Sequence, residues 1–196
     1  MKTYIKDQIK KSYETKQDIY NNEDLLDKIE DVAQKCVALY KTDKKTILAG
    51  NGGSAADAQH IAAELVGRYG FDRPSIPSLA LTTDTSNLTA IGNDYGYDQV
   101  FSRQLEGMGQ AGDIFIGIST SGNSINIVKA FESAKKKNIM TVALTGRDGG
   151  LMASMADIAL VVPSNSTPRI QEAHILIGHI ICDIIEKEIF GNGINS

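Results

Sequence analysis

Short apolar runs alternate with helix-like segments from Thr46 onward, and this rhythm restricts the possible folds more than any other feature of the chain. The runs read as strands at 47–49, 79–81, 114–118, 140–144 and 158–162. Helical segments fall between them at 54–66, 84–92, 98–107, 124–137 and 151–155. Because strands that alternate with helices form parallel sheets, the sequence predicts a three-layer α/β/α fold around a five-stranded, mainly parallel sheet.

Helices are also predicted before the first strand and after the last one. Residues 3–20 have loose helical spacing, residues 25–40 form a strongly amphipathic pattern, and Pro168 suits the first turn of a final helix ending near Phe190. That final helix is apolar around most of its circumference, so its own domain or another subunit must cover it. We expect residues 1–45 to form N-terminal helices packed on the domain and at an oligomer interface, and 46–196 to complete a single domain.

Composition excludes several classes of protein. A chain of 196 residues that is 42% hydrophobic can bury a core, while a net charge of -4 and a pI near 5.4 argue against nucleic-acid binding. The polar N-terminal stretch does not fit a secretory signal, and no apolar run is long enough to span a bilayer. Cys36 and Cys182 are predicted to be buried thiols, so a cytoplasmic location without membrane contact is expected.

The glycine-rich stretch that begins at Gly50 follows the first strand and leads into a helix. Glycines permit a tight turn and close ligand approach, and Ser54 with Asp57 resembles a capping box. His60 and Glu64 lie four residues apart on that helix, so their side chains share one face. Such pairs are common on helices, but this one directly follows a glycine turn and is a candidate for chemistry.

Two other kinds of glycine-rich site, a dinucleotide-binding turn and a P-loop, are not supported by the sequence. Residues 50–55 match the G-x-G-x-x-A pattern of dinucleotide sites, but no acidic residue closes the second strand and Asp84 comes too late. A phosphate-binding P-loop is excluded because no Gly-Lys-Ser/Thr follows the glycines.

A second polar turn follows the strand 114–118 and contains Ser119, Thr120, Ser121 and Ser124. Clustered hydroxyls beside a helix N-terminus favour a phosphate group. Ligands of open α/β sheets bind beyond the carboxyl ends of the strands, so this turn and the glycine turn are expected to line one crevice. The dipeptide at 93–94, expected to follow a helix, could add polar contacts there or be an ordinary turn.

The final helix carries Gln171, His174 and His179. Gln171 and His179 lie about 80° apart around the axis and can face one site, whereas His174 points elsewhere and is expected to have a structural or interface role. Together with His60 and Glu64 they offer nitrogen and oxygen ligands for a divalent ion such as zinc, or an acid–base pair without metal. Spacing alone leaves both possibilities open.

These motifs together resemble the phosphoheptose isomerases, a family with the sugar-isomerase (SIS) fold. The resemblance covers nearly the whole chain after the first helix. It rests on the segments at 50–60, 81–86, 90–96, 117–124, 161–164 and 169–174.

The resemblance implies a cytoplasmic homotetramer, with sites at subunit interfaces, that converts sedoheptulose 7-phosphate into D-glycero-D-manno-heptose 7-phosphate. This aldose–ketose isomerisation passes through an enediol and begins heptose synthesis for bacterial lipopolysaccharide or capsule. It further implies Glu64 as general base and His179 as general acid, with one zinc ion per site. The zinc ligands would be His60, Glu64, Gln171 and His179. The substrate contacts would be Asn51, Gly52, Gly53, Glu64, Asn93, Asp94, Ser119, Thr120, Ser121, Ser124 and Gln171.

A non-catalytic SIS protein that binds a sugar phosphate or a replication-initiator protein is the alternative. Sensors of that kind usually carry a DNA-binding domain, and none fits in this chain. Glu64 and His179 would have no role in such a protein, so their presence favours an enzyme.

Overall fold

The computed structural model describes residues 1–191 and contains one five-stranded sheet within them. The strands are β1 (Thr46–Gly50), β2 (Ser78–Ala80), β3 (Ile114–Ile118), β4 (Met140–Gly146) and β5 (Ile158–Val162). Their order is β2-β1-β3-β4-β5, and every neighbouring pair is parallel. The predicted fold class is therefore confirmed, with each strand close to its expected place.

The helices of the described residues surround this sheet. They are α1 (Lys2–Tyr20), α2 (Glu23–Tyr40), α3 (Gly53–Val66), α4 (Thr85–Tyr95), α5 (Val100–Met108), α6 (Ile125–Lys136), α7 (Gly150–Met155) and α8 (Thr167–Phe190). A short 3₁₀ turn, Tyr97–Gln99, precedes α5. No helix in this part of the chain is both long and apolar enough to cross a membrane.

Each face of the sheet has its own hydrophobic core. Leu48 and Ile116 pack with α2, α3 and α8 on one face, whereas Ile47 and Phe115 pack with α5 and α6 on the other. Successive strand residues point to opposite faces, and both faces are covered, so the strands are continuous apolar runs. The chain after β1 enters α3 on the first face, but the chain after β3 enters α6 on the second. A crevice therefore opens between the carboxyl ends of these neighbouring strands, where α/β proteins bind ligands.

The outer helices contribute unequally to the core. The side chains of α2 that are buried include Ile29, Val32 and Cys36, whereas α1 buries only Thr15 and Ile19 among the described residues. Helix α8 is covered by α1, α2 and α3, as its apolar circumference requires. The single domain is predicted to include residues 192–196, which lie outside the described residues.

Local expectations were wrong at two helix ends. Helix α4 continues to Tyr95, so Asn93 and Asp94 lie in its last turn instead of after it. Helix α3 begins at Gly53 after the N-cap residue Gly52, and Ser54 is a buried residue inside the helix without a capping hydrogen bond. Gly52 adopts a φ of 54°, which favours glycine, and this turn of the backbone takes the place of the expected capping box.

Candidate active site

The glycine turn after β1 carries the first part of the site. Gln171, from the first turns of α8, places its amide directly on Gly53, where an added Cβ would lie 2.5 Å from Gln171 Nε2. An alanine at this position would require the Gln171 amide to move away. The structure therefore brings Gln171 to the turn that holds Asn51, Gly52 and Gly53.

The serine turn after β3 carries the second part. Ser119 is buried, and its hydroxyl lies 2.8 Å from Ser124 Oγ and 3.5 Å from Ser121 Oγ. Ser124 is the N-cap residue of α6 but makes no side-chain capping bond there. The first N–H groups of a helix lack partners within it, so hydroxyls and backbone donors converge in an arrangement suited to a phosphate.

A pair of asparagines joins the two turns. Asn51 Nδ2 donates to Asn126 Oδ1, and Asn126 Nδ2 donates to Asn51 Oδ1, each over 2.9 Å. The Tyr97 hydroxyl donates to the same Asn51 oxygen over 3.3 Å. Sequence reasoning missed Asn126; the available signal was a polar residue in the apolar first turn of α6, next to the core residue Ile127.

The chemical groups gather where α3 and α8 meet. His60 Nε2 lies 2.9 Å from Glu64 Oε1 and 3.5 Å from His179 Nε2. One donor atom from each of the three residues lies within 4.8 Å of the others. The helical spacing on α3 was predicted correctly, and the packing of α8 on α3 adds the second imidazole.

The donor atoms fit a metal ion. In a tetrahedral zinc site with bonds of about 2.0–2.1 Å, ligand atoms lie roughly 3.3 Å apart, close to the separation of the two histidine nitrogens. Two imidazoles and a carboxylate also form the ligand set of catalytic zinc sites that keep an open position. A possible metal site is therefore present in the described residues.

Tyr69 and Asp57 border the cluster, and sequence reasoning gave neither a role there. The Tyr69 ring lies 5.7 Å from the His179 ring, whose other neighbour is His60 at 4.9 Å between ring centroids. Asp57 lies one turn before His60, and its Oδ2 is buried without a hydrogen-bond partner among the described residues. Burial raises the pKa of Asp57 to about 6, although His60 opposes this shift.

A buried ion pair supports the loop that carries Tyr69. Glu186 of α8 accepts hydrogen bonds from the backbone N–H of Tyr69 and of Phe71, and from Arg73 Nε at 2.8 Å. Arg73 also donates to the carbonyl oxygen of Glu64 over 2.8 Å. Both charged side chains are 1% exposed. This pair ties the end of α3 and the following loop to the helix that carries His179.

The remaining candidates lie apart from the cluster. Asn93 donates to Asp94 Oδ1 over 2.7 Å on the exposed side of α4, and no hydrogen bond within residues 1–191 links them to His60 or Glu64. His174 points away from the cluster and faces the sheet, where its Nε2 lies 3.0 Å from the Thr145 carbonyl oxygen. Burial lowers the pKa of His174 to about 4, so the ring is neutral.

Comparisons with known proteins agree with this architecture. The model of the SIS domain family matches residues 10–146. A phosphoheptose isomerase from Sulfurimonas denitrificans is 84% identical over 195 residues, covering 100% of both chains. Phosphoheptose isomerase 2 from Campylobacter jejuni is 56% identical, covering 98% of this chain and 96% of the relative.

Solved structures extend the similarity to three dimensions. The phosphoheptose isomerase from Neisseria gonorrhoeae superposes with a TM-score of 0.89 at 44% identity, covering 95% of this chain and 98% of that one. The phosphoheptose isomerase from Francisella tularensis gives a TM-score of 0.91 at 37% identity, covering 94% and 97%. Because sequence identity over the full length and the fold agree, the chain belongs to the phosphoheptose isomerase family of SIS-domain proteins.

Proposed function

We propose that this chain isomerises sedoheptulose 7-phosphate to D-glycero-D-manno-heptose 7-phosphate. The observation that carries the proposal is the meeting of a carboxylate, Glu64, and an imidazole, His179, in one cluster of α3 and α8. An aldose–ketose isomerase needs groups that move protons on carbon and on oxygen, and this cluster supplies both.

The proton transfers follow from the chemistry of the opened ketose. The Glu64 carboxylate removes a proton from C1, and the C2 carbonyl oxygen receives a proton from His179, which forms an enediol. His179 then accepts the proton of the C1 hydroxyl while Glu64 returns its proton to C2, which leaves an aldehyde at C1. Each group ends in the state in which it began, as general acid–base catalysis requires.

Substrate binding is assigned to the two turns. The serine turn, with Ser119, Thr120, Ser121 and Ser124, holds the terminal phosphate beside the N-terminus of α6. The turn of Asn51, Gly52 and Gly53 holds the sugar, with Gln171 beside it. Asn93 and Asp94 complete the sugar contacts from the exposed end of α4, which a neighbouring subunit would bring to the site.

Zinc is the metal that we propose for the cluster, one ion per site. His60, Glu64 and His179 would hold it, and Gln171 would add an oxygen ligand. The bound ion would polarise the substrate oxygen and stabilise negative charge that develops on it. Metal analysis of untagged protein, with and without a chelator, tests this assignment; full turnover by metal-free protein would contradict it.

The biological setting follows from the substrate. The product heptose would enter bacterial lipopolysaccharide or capsule, and we place the reaction in the cytoplasm, in line with the buried free thiols of Cys36 and Cys182. We further propose a homotetramer, because α1 exposes Tyr4, Ile5, Ile9 and Tyr13 along its length. Exposed apolar surface of this kind is typical of subunit contacts.

A direct assay separates an enzyme from a binding protein. Wild type, Glu64→Gln and His179→Ala are incubated with sedoheptulose 7-phosphate, and the aldose product is measured. We expect turnover by wild type and a loss of about 10²–10⁴-fold in kcat for each variant. Asp183→Asn, on α8 and paired with Lys187, is the matched control and should keep its activity. An inactive wild type would favour a non-catalytic SIS protein, and active variants would exclude the proposed acid and base.

A further inference from the structure

The asparagine pair crosses the crevice at the point where the chain changes faces of the sheet. Asn51 follows β1, whose chain continues into α3 on one face, and Asn126 lies in the first turn of α6 on the other. The residues are 75 positions apart in sequence, and their reciprocal 2.9 Å hydrogen bonds directly join the two halves of the crevice.

The environment of Asn126 holds it in this orientation. Asn126 is only 4% exposed, and the next residue, Ile127, is fully buried. A buried amide that lost its partner would carry the desolvation cost of an unsatisfied polar group, so the pairing with Asn51 is favoured over other rotamers. Asn51 Oδ1 accepts from both Asn126 and Tyr97, so its amide is fixed by the protein.

The two turns must keep a set separation if they are to hold one ligand. On the proposed function, the serine turn binds the phosphate and the glycine turn binds the sugar of the same molecule. The serine turn has internal hydrogen bonds of its own between Ser119 and Ser124, which do not involve Asn126. We therefore expect loss of the asparagine pair to leave the phosphate site in place and to release the sugar site from it.

We propose that Asn126 is a positioning residue for the isomerisation, which acts through Asn51 to align the sugar-binding turn with the phosphate-binding turn. This inference rests on the proposed function, because it assigns the two turns to two ends of one phosphorylated sugar. Among the described residues, the side chain of Asn126 is hydrogen-bonded to Asn51 and not to His60, Glu64 or His179.

The test compares Asn126→Ala, Asn51→Ala and the double variant with two ligands. We expect Asn126→Ala to raise the KM for sedoheptulose 7-phosphate about tenfold, the range expected when a hydrogen-bonded unit is lost. The inhibition constant of inorganic phosphate, which needs the serine turn alone, should stay within about twofold of wild type. Since both side chains act as one unit, the double variant should lose no more than Asn51→Ala.

Ser133→Ala is the matched control on the same helix. Its hydroxyl is also buried and donates to Glu106 Oε1 over 3.0 Å, far along α6 from the serine turn. Ser133→Ala should lower the melting temperature about as much as Asn126→Ala does, but it should leave the KM for sedoheptulose 7-phosphate unchanged. If Asn126→Ala does not fold, Asn126→Leu, which fills the buried space with an apolar side chain of similar size, breaks the same pair and must show the same split between the two ligands.

The results that would overturn the positioning role differ from those that would overturn the proposed function. An unchanged KM, an equal loss of phosphate binding, or losses that multiply in the double variant would each overturn the positioning role. If wild type binds the sugar phosphate without isomerising it, the proposed function fails, and the same comparison is then made with dissociation constants. The role of Asn126 is thereby decided separately from the reaction.

Discussion

At the scale of single residues, Gly53 leaves room for the Gln171 amide because it has no side chain. We predict that Gly53→Ala lowers kcat/KM about tenfold, because the new methyl group occupies the space of the Gln171 amide. Stability should change little or rise by up to about 1 kcal/mol, since Gln171 is flexible and alanine favours a helix. Steady-state kinetics and thermal unfolding measure the two effects.

Gly107→Ala is the control for Gly53→Ala. Gly107 also lies in a helix, α5, and an added Cβ there meets no atom within 4 Å. It should gain similar stability with unchanged kinetics. Unchanged kinetics in Gly53→Ala as well would remove the role assigned to the Gln171 contact.

His174 is expected to make the protein sensitive to acid. Its pKa is about 4 in the folded state against 6.5 ordinarily, because burial disfavours the charged ring. Between these values the unfolded chain binds more protons, so stability falls as pH falls from 6.5 towards 4. One such group contributes a slope of up to about 1.4 kcal/mol per pH unit. The free energy of unfolding, measured with urea at several pH values in this range, should fall less steeply with falling pH for His174→Gln than for wild type. The same pH dependence in both proteins would contradict the prediction.

Residue-level prediction succeeded for His60 and Glu64, whose contact follows from their spacing on one helix. The expectation that Gln171 and His179 face one site rests on the same helical geometry and stays a prediction. Asn126 and Tyr69 were missed because their partners, Asn51 and His179, are distant in sequence, and only the packed structure brings them together.

At the scale of elements, the Arg73–Glu186 pair holds α3, its following loop and α8 together. We predict that Glu186→Gln destabilises the protein by about 3 kcal/mol, because it leaves the charge of Arg73 buried without a counter-ion. Catalytic activity should fall at temperatures below unfolding, since Tyr69 and the end of α3 lose their anchor. Denaturant unfolding and kinetics on the same sample measure both effects.

The pH dependence of Glu186 has the opposite physical origin from that of His174. Burial raises the pKa of Glu186, but hydrogen bonds from Tyr69, Gly70, Arg73 and Phe71 leave it below the ordinary 4.5. Its contribution is present above pH 4.5 and is lost as pH falls through the lower folded value. Asp183→Asn is the control for Glu186→Gln. The exposed pair of Asp183 with Lys187 is worth less than about 1 kcal/mol, so this variant should change the pH dependence of stability much less.

Element prediction was most accurate for strands buried on both faces, because a continuous apolar run bounded by polar turns is distinctive. Helix ends were less certain. The extension of α4 over Asn93 and Asp94 was missed because Gly92 resembles a helix terminator, whereas the helix ends at Gly96 with a φ of 87°.

At the scale of the whole molecule, the apolar surface of α1 is expected to lie between subunits. We predict that Ile9→Lys, at a residue that is 60% exposed, reduces the molar mass in light scattering from a tetramer to smaller species. A loss of activity with dissociation would support sites shared between subunits. Lys10→Ala, on the same helix, should leave the mass unchanged; a monomeric wild type would contradict the proposal.

The α/β class was predictable from the alternation of strands and helices, but the distribution of helices between the two faces was not. The sequence does not state that the chain changes face between β1 and β3, because each covering helix is amphipathic in the same way. That change of face places the glycine turn and the serine turn on either side of one crevice.

Helix α8 follows every other described element in the order of synthesis, and it supplies Gln171, His179 and Glu186. Before α8 packs on α3, His60 and Glu64 have no second imidazole beside them, and the loop at Tyr69 has no anchor. A growing or prematurely ended chain therefore holds a carboxylate base without its acid. On the proposed roles, catalytic competence arises in one late step, and fragments lacking α8 remain inert towards sugars.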